Sequence, residues 1–142
     1  ADGVHLPKSL LRFVYKFKNH DRIALVTDAM RGAGMPDGNY MLGSLEKGQE
    51  VLVEDGVAKM PDRTAFAGSV ATADRLVRKM IQIAEVPLID AVKMITANPA
   101  RMLNIHQRKG SLSVGKDADI VIFDQDINIL TTMIAGQVVY KK

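Results

Sequence analysis

The feature that most constrains this chain is the run Ile23-Ala24-Leu25-Val26-Thr27, apolar or β-forming throughout, which ends abruptly in Asp28. An apolar run without alternation fits a strand buried on both faces, the environment of a parallel sheet. Upstream, Leu10, Leu11, Val14, Tyr15 and Phe17 recur at helical spacing and predict a helix over 8–18. Before that helix lies Gly3-Val4-His5-Leu6, a second strand-like segment. Strand, helix, strand in this order is a βαβ unit, so the predicted class is α/β.

Downstream of Asp28 the glycines Gly32, Gly34, Gly38 and Gly43, with Pro36-Asp37-Gly38 among them, predict a loop at the mouth of the sheet. Glu50–Val53 and Val57–Met60 flank Glu54-Asp55-Gly56, and the Asp-Gly pair predicts a β-hairpin. From Ser69 the period changes: Ala73, Leu76, Val77, Met80, Ile81 and Ala84 make one apolar helical face. Pro87 opens a second helix with Leu88, Ala91, Val92 and Ile95 on its buried side, and Asn98-Pro99 gives a start signal for a third, ending near Asn104. These three helices are expected to cover one side of the sheet. Beyond Lys109 come short strands at Ser111–Val114, Asp119–Asp124 and Val138–Tyr140, broken by turns at Gly115-Lys116-Asp117 and Ala135-Gly136. The expected division is residues 1–105 and a small β appendage over 106–142.

Composition narrows the function classes. Nineteen basic residues against 16 acidic give a net charge of +3, scattered along the chain, which does not indicate nucleic-acid binding. With no cysteine there is neither a disulfide framework nor thiolate metal ligation. No apolar run approaches the roughly 18 residues of a membrane span, and no signal peptide is visible, so the expectation is a cytoplasmic protein without a membrane partner. The chain starts at Ala1 without methionine and reads as cut from something longer.

Asp28 is the first candidate for chemistry, because α/β barrels place catalytic groups at the C-terminal ends of their strands. The competing reading is an Asp that caps the following loop. His5 could project from the same rim if the two strands are neighbours, although a lone histidine is more often a packing residue. His20 and His106 read as ordinary surface or junction residues. None of the three histidines stands in a His-x-His or His-Glu-x-x-His spacing, so no metal site is expected from this chain alone. Ala67-Gly68-Ser69 before the long helix offers free backbone N–H groups to an anion, or is simply a helix start capped by Ser69.

Several segments together resemble one family. Leu25-Val26-Thr27-Asp28-Ala29-Met30, Ala33-Gly34-Met35-Pro36-Asp37-Gly38 and Tyr40-Met41-Leu42-Gly43 resemble the region around the catalytic aspartate of N-acetylglucosamine-6-phosphate deacetylases, in the amidohydrolase superfamily. Asp2-Gly3-Val4-His5, Phe66-Ala67-Gly68-Ser69 and Asn98-Pro99-Ala100-Arg101 resemble further motifs of that family. Lys109-Gly110-Ser111-Leu112 through Gly115-Lys116-Asp117-Ala118-Asp119-Ile120-Val121 is shared by many amidohydrolases.

The resemblance implies the C-terminal part of a distorted (β/α)₈ barrel plus strands of a small β-sandwich. It implies Asp28 as the catalytic acid/base, and His5 with the backbone of Phe66, Ala67 and Gly68 as substrate contacts. The implied reaction is metal-assisted hydrolysis of N-acetylglucosamine 6-phosphate to glucosamine 6-phosphate and acetate. A divalent metal, zinc by the resemblance, would serve it, yet no position here receives its ligands. A complete barrel needs about 250 residues, so the isolated chain is expected to be inactive and to self-associate as a homo-oligomer through faces evolved for burial. The alternatives are another amidohydrolase, dihydroorotase-like or hydantoinase-like, and a non-catalytic sugar-phosphate-binding or assembly module.

Overall fold

The computed structural model describes residues 1–142. It has four helices, α1 (Lys8–Phe17), α2 (Ala73–Ala84), α3 (Leu88–Ile95) and α4 (Ala97–Met102), and a 3₁₀ turn at His20–Arg22. Its six strands are β1 (Gly38–Leu42), β2 (Gln49–Glu54), β3 (Val57–Lys59), β4 (Ile120–Phe123), β5 (Ile129–Ile134) and β6 (Gln137–Lys141). The strands form two separate antiparallel sheets, ordered β1-β2-β3 and β4-β5-β6. Helix and strand are mixed as an α/β class requires, and the helices over 8–18 and after Pro87 stand where their apolar periods put them.

The expected parallel ladder does not form. Residues 23–28 pair with no strand, and the one parallel bridge here lies just beyond them, Ala29 to Ser69. A strand is defined by its neighbour, and here the Leu25 N–H donates instead to the Met94 carbonyl at 2.8 Å, a free acceptor in the last turn of α3. Val26, read as buried on both sides, is 71% exposed. The second expected strand, Gly3–Leu6, is a turn. Asp2 Oδ1 accepts from both the Val4 and His5 N–H groups, and Gly3 takes φ +82°, which directs the chain away from a strand.

The hairpin is found as expected. Asp55 and Gly56 take φ +54° and +71°, matching a two-residue type I′ turn, and Val53 pairs with Ala58 across it. Its third strand, β1, comes from the stretch read as loop, with Tyr40 opposite Val51. The three helices after Ser69 do not cover a sheet. α1, α2, α3 and α4 pack successively on one another around Leu11, Leu25, Leu76, Val77, Met80, Ala91 and Met94. Burying a side chain as fully as Leu76 or Met94 contributes about 2–3 kcal/mol relative to exposure.

Asn98, read as a cap, lies inside α4 and is fully buried. Its Nδ2 donates to the carbonyls of His20 and Ile23, both at 2.7 Å, while its Oδ1 accepts from Arg101. The amide thus ties the entry of the extended segment to the helices. Ser69 does not cap a helix either: α2 begins four residues later, after Thr72. Ser69 Oγ instead accepts from Ala71 N–H, and the Ser69 carbonyl accepts from Met30 N–H.

The β appendage is joined by polar ties and one plug. Ser111–Val114 does not form a strand: Lys116 Nζ gathers the His106 carbonyl and Ser111 Oγ while Lys116 N–H donates to the Ser113 carbonyl. Asp117 meets Arg108 at 2.9 Å and Lys109 at 3.0 Å, and Lys109 also reaches Asp119. Between β4 and β5, Ile127 enters the helical core at 6% exposure with φ +61°, a strained backbone for a β-branched residue. Arg78 of α2 donates to the Asp126 and Ile127 carbonyls, both at 2.9 Å.

Candidate active site

A cleft of about 170 Å³ opens where the N-terminal turn faces the end of the extended segment. Its walls include Asp2, His5, Thr27, Asp28 and Ser69. His5 and Asp28 therefore meet at one rim, although no parallel strands carry them there.

Asp28 sits at φ +51°, in the left-handed region that Asp tolerates better than most residues. Its carbonyl accepts from Ser69 N–H at 3.3 Å, and two residues on, the Met30 N–H returns to the Ser69 carbonyl at 2.8 Å. This reciprocal pair anchors the backbone on both sides of the carboxylate. The loop-capping alternative finds no support in the contacts, since no backbone N–H donates to the Asp28 side chain.

His5 is held from two directions. Its Nδ1 donates to Asp2 Oδ2 at 2.7 Å, and its ring lies 4.8 Å from the Phe66 ring at a 54° tilt. Phe66 is brought there by the first sheet: Lys59 bridges to Phe66, and the Ala67 N–H donates to the Ala58 carbonyl at 2.9 Å. Gly68, at φ +84°, then turns the chain into the Ser69 bridge, with Met30 and Leu42 closing on it. Phe66 is half exposed and Ala67 is buried. Ring contact to His5 thus comes from Phe66, and Ala67 and Gly68 fix the wall behind it.

Asp2 was named in the sequence only as part of a motif, and the structure gives it more weight. It is 3% exposed, yet its pKa is lowered to about 2. Burial alone raises it, and the hydrogen bonds from the His5 ring and from the Val4 and His5 N–H groups outweigh that effect. An Asp three residues before a His, with a Gly between them, was the available signal for this turn.

A divalent cation needs several converging donors. No group of three or more His, Cys, Asp or Glu side chains comes together in this chain. Asp28 and His5 are the cleft's free donors, and Asp2 is already spent on His5. The residues present do not fit a complete cation site. No helix is long and apolar enough to cross a membrane.

Residues 2–139 match the amidohydrolase family, and the chain belongs to it. Within that class it is similar to N-acetylglucosamine-6-phosphate deacetylase of Lysinibacillus sphaericus, 39% identical over 138 residues, covering 97% of this chain and 34% of that protein. It is 39% identical over 137 residues to N-acetylgalactosamine-6-phosphate deacetylase of Escherichia coli O157:H7, covering 96% of this chain and 35% of the relative. Among solved structures, a mutant N-acetyl-D-glucosamine-6-phosphate deacetylase of Mycobacterium smegmatis, in complex with N-acetyl-D-glucosamine-6-phosphate, superposes with a TM-score of 0.86 at 34% identity. It covers 97% of this chain and 36% of that one. The chain spans about a third of the length of these relatives.

Proposed function

We propose that this chain forms the C-terminal third of a deacetylase that hydrolyses the acetamide of N-acetylglucosamine 6-phosphate. The observation that carries the reading is the convergence of His5, Asp28 and the Phe66–Ser69 wall on one cleft. Asp28 would take a proton from the attacking water as it adds to the acetamide carbonyl, then deliver it to the departing amine. His5 would contact the sugar phosphate, and Phe66, Ala67 and Gly68 would line the substrate. Products are glucosamine 6-phosphate and acetate.

The divalent cation that the resemblance implies would take its ligands from outside these 142 positions, and the isolated chain is inactive on this reading. The domain division is proposed at 1–105 for the barrel part and 106–142 for sandwich strands. Supporting the barrel is an apolar groove of about 280 Å³ along the unpaired segment, lined by Leu6, Leu11, Val14, Ile23, Leu25 and Met80. Further parallel strands would fill it. The exposed Val138, Val139 and Tyr140 of β6 support self-association.

Acetate release from N-acetylglucosamine 6-phosphate, with the galacto epimer as competitor, tests the reading. The chain alone should release none. Adding the N-terminal part of such an enzyme should restore turnover, and Asp28→Asn should cut it by about 10²–10⁴-fold, the usual range for a general acid/base. Turnover that survives Asp28→Asn would sink the assignment. A second reading, a non-catalytic sugar-phosphate-binding module, is favoured by the incomplete donor set; saturable binding of glucosamine 6-phosphate without restored turnover would select it.

A further inference from the structure

Asp2 has no part in the reaction as described, yet it is the most constrained carboxylate in the cleft. Both its oxygens are committed: Oδ1 to the Val4 and His5 N–H groups at 3.1 Å each, Oδ2 to His5 Nδ1 at 2.7 Å. An ionised carboxylate can only accept, so the proton in the last bond belongs to Nδ1. A neutral imidazole carries a single ring proton. With that proton on Nδ1, Nε2 is left with a lone pair and has no protein partner.

From this we infer that Asp2 is a positioning residue that makes His5 a proton-gated anion contact. Neutral His5 presents a lone pair to the cleft and repels a phosphate oxygen. Protonated His5 presents an Nε2–H donor, with Asp2 as its buried counter-charge, and grips the oxyanion by a charge-assisted bond. Anion binding therefore takes up a proton. The inference rests on the reading of His5 as the phosphate contact and deepens it.

The surroundings agree. The titratable side chains facing His5 are Asp2 and, across the cleft, Asp28, while the aliphatic part of Lys79 lies against Gly3. Phe66 and Ser69 add no charge. Phe66 at 4.8 Å holds the ring's tilt, so the Nε2 direction is set by Asp2 and Phe66 together.

Long-range ¹H–¹⁵N correlation spectra of the His5 ring in the whole chain, near pH 8 where free imidazoles are neutral, read the tautomer directly. The free chain should show Nδ1–H and a pyridine-type Nε2. Saturation with glucosamine 6-phosphate should protonate both nitrogens. Asp2→Asn should lose the second protonation and weaken binding about tenfold, the scale of one charge-assisted hydrogen bond. An Nε2–H tautomer in the free chain, or a ring that stays neutral in the complex, overturns the inference, and both are read on the unsubstituted chain. His5→Gln separates the two ideas. If it binds as tightly as the unsubstituted chain, the phosphate-contact reading fails; if binding is lost but the ring stays neutral in the complex, only the present inference fails.

Discussion

The molecule contains two sheets of the same size and topology with opposite fates. In β1-β2-β3, Val51, Val53, Val57 and Ala58 are buried, and the 30–36 loop packs on them, with Met30, Gly32 and Tyr40 meeting at Val53. In β4-β5-β6 no strand residue is buried, and β6 is exposed along all five positions. Both sheets are laddered antiparallel, the second with one register irregularity in each strand pair, so hydrogen bonding alone does not account for the difference in burial. The difference is burial, and it coincides with nearness to the cleft: the buried sheet bridges to Phe66 at the cleft wall, whereas the open sheet touches the rest of the chain through Phe123, Arg78, Ile127 and a lysine–aspartate network.

Four measurements would break or sharpen this contrast. The largest effect is expected from Val51→Ala, which should cost about 2 kcal/mol in denaturant unfolding through lost burial and a cavity beneath β2. Arg78→Ala comes next, at about 1–2 kcal/mol, because it strands the Asp126 and Ile127 carbonyls. A smaller loss, confined to acid, belongs to Asp2. Folding lowers its pKa, so the folded chain binds the proton less readily. The stabilisation is present above pH 3.8 and disappears as pH falls through about 2. Asp2→Asn should flatten that part of an acid titration followed by circular dichroism. Smallest is Val139→Thr on the open sheet, which should change stability by no more than about 0.5 kcal/mol. Equal losses from Val51→Ala and Val139→Thr would dissolve the distinction between the sheets.

What the sequence made legible follows the range of the forces involved. The Asp55-Gly56 turn, α1 and the helices after Thr72 depend on local spacing and turn chemistry, and they stand where read. β1 was read as loop because its glycines dominate locally, and its partner β2 lies across an intervening turn. β5, Ile129–Ile134, is not predicted even though the Ala135-Gly136 turn stands at its end. Ile23–Thr27 was read correctly as extended and incorrectly as paired, since pairing is a property of two segments. At Gly3–Leu6 a side-chain carboxylate competed with the strand and won. His5 and Asp28 follow from the rule of position, whereas the Asp2–His5 contact depends on a turn whose closure is a matter of tertiary geometry.

The Ile127 plug also bears on how the chain opens. A three-stranded sheet with no fully buried strand residue has little free energy of its own to resist fraying. Its amides would then exchange with solvent on the timescale of local opening, unless something slower governs them. Ile127 supplies that governor, because drawing β4 and β5 away requires pulling a buried side chain out from among the helices and breaking the Arg78 bonds. Amides of β4 and β5 beside the plug should exchange together with those of α2, while the far edge at β6 exchanges early. Two regions that look separable by burial would thus open in part as a single cooperative unit, coupled through a residue held in a strained backbone conformation.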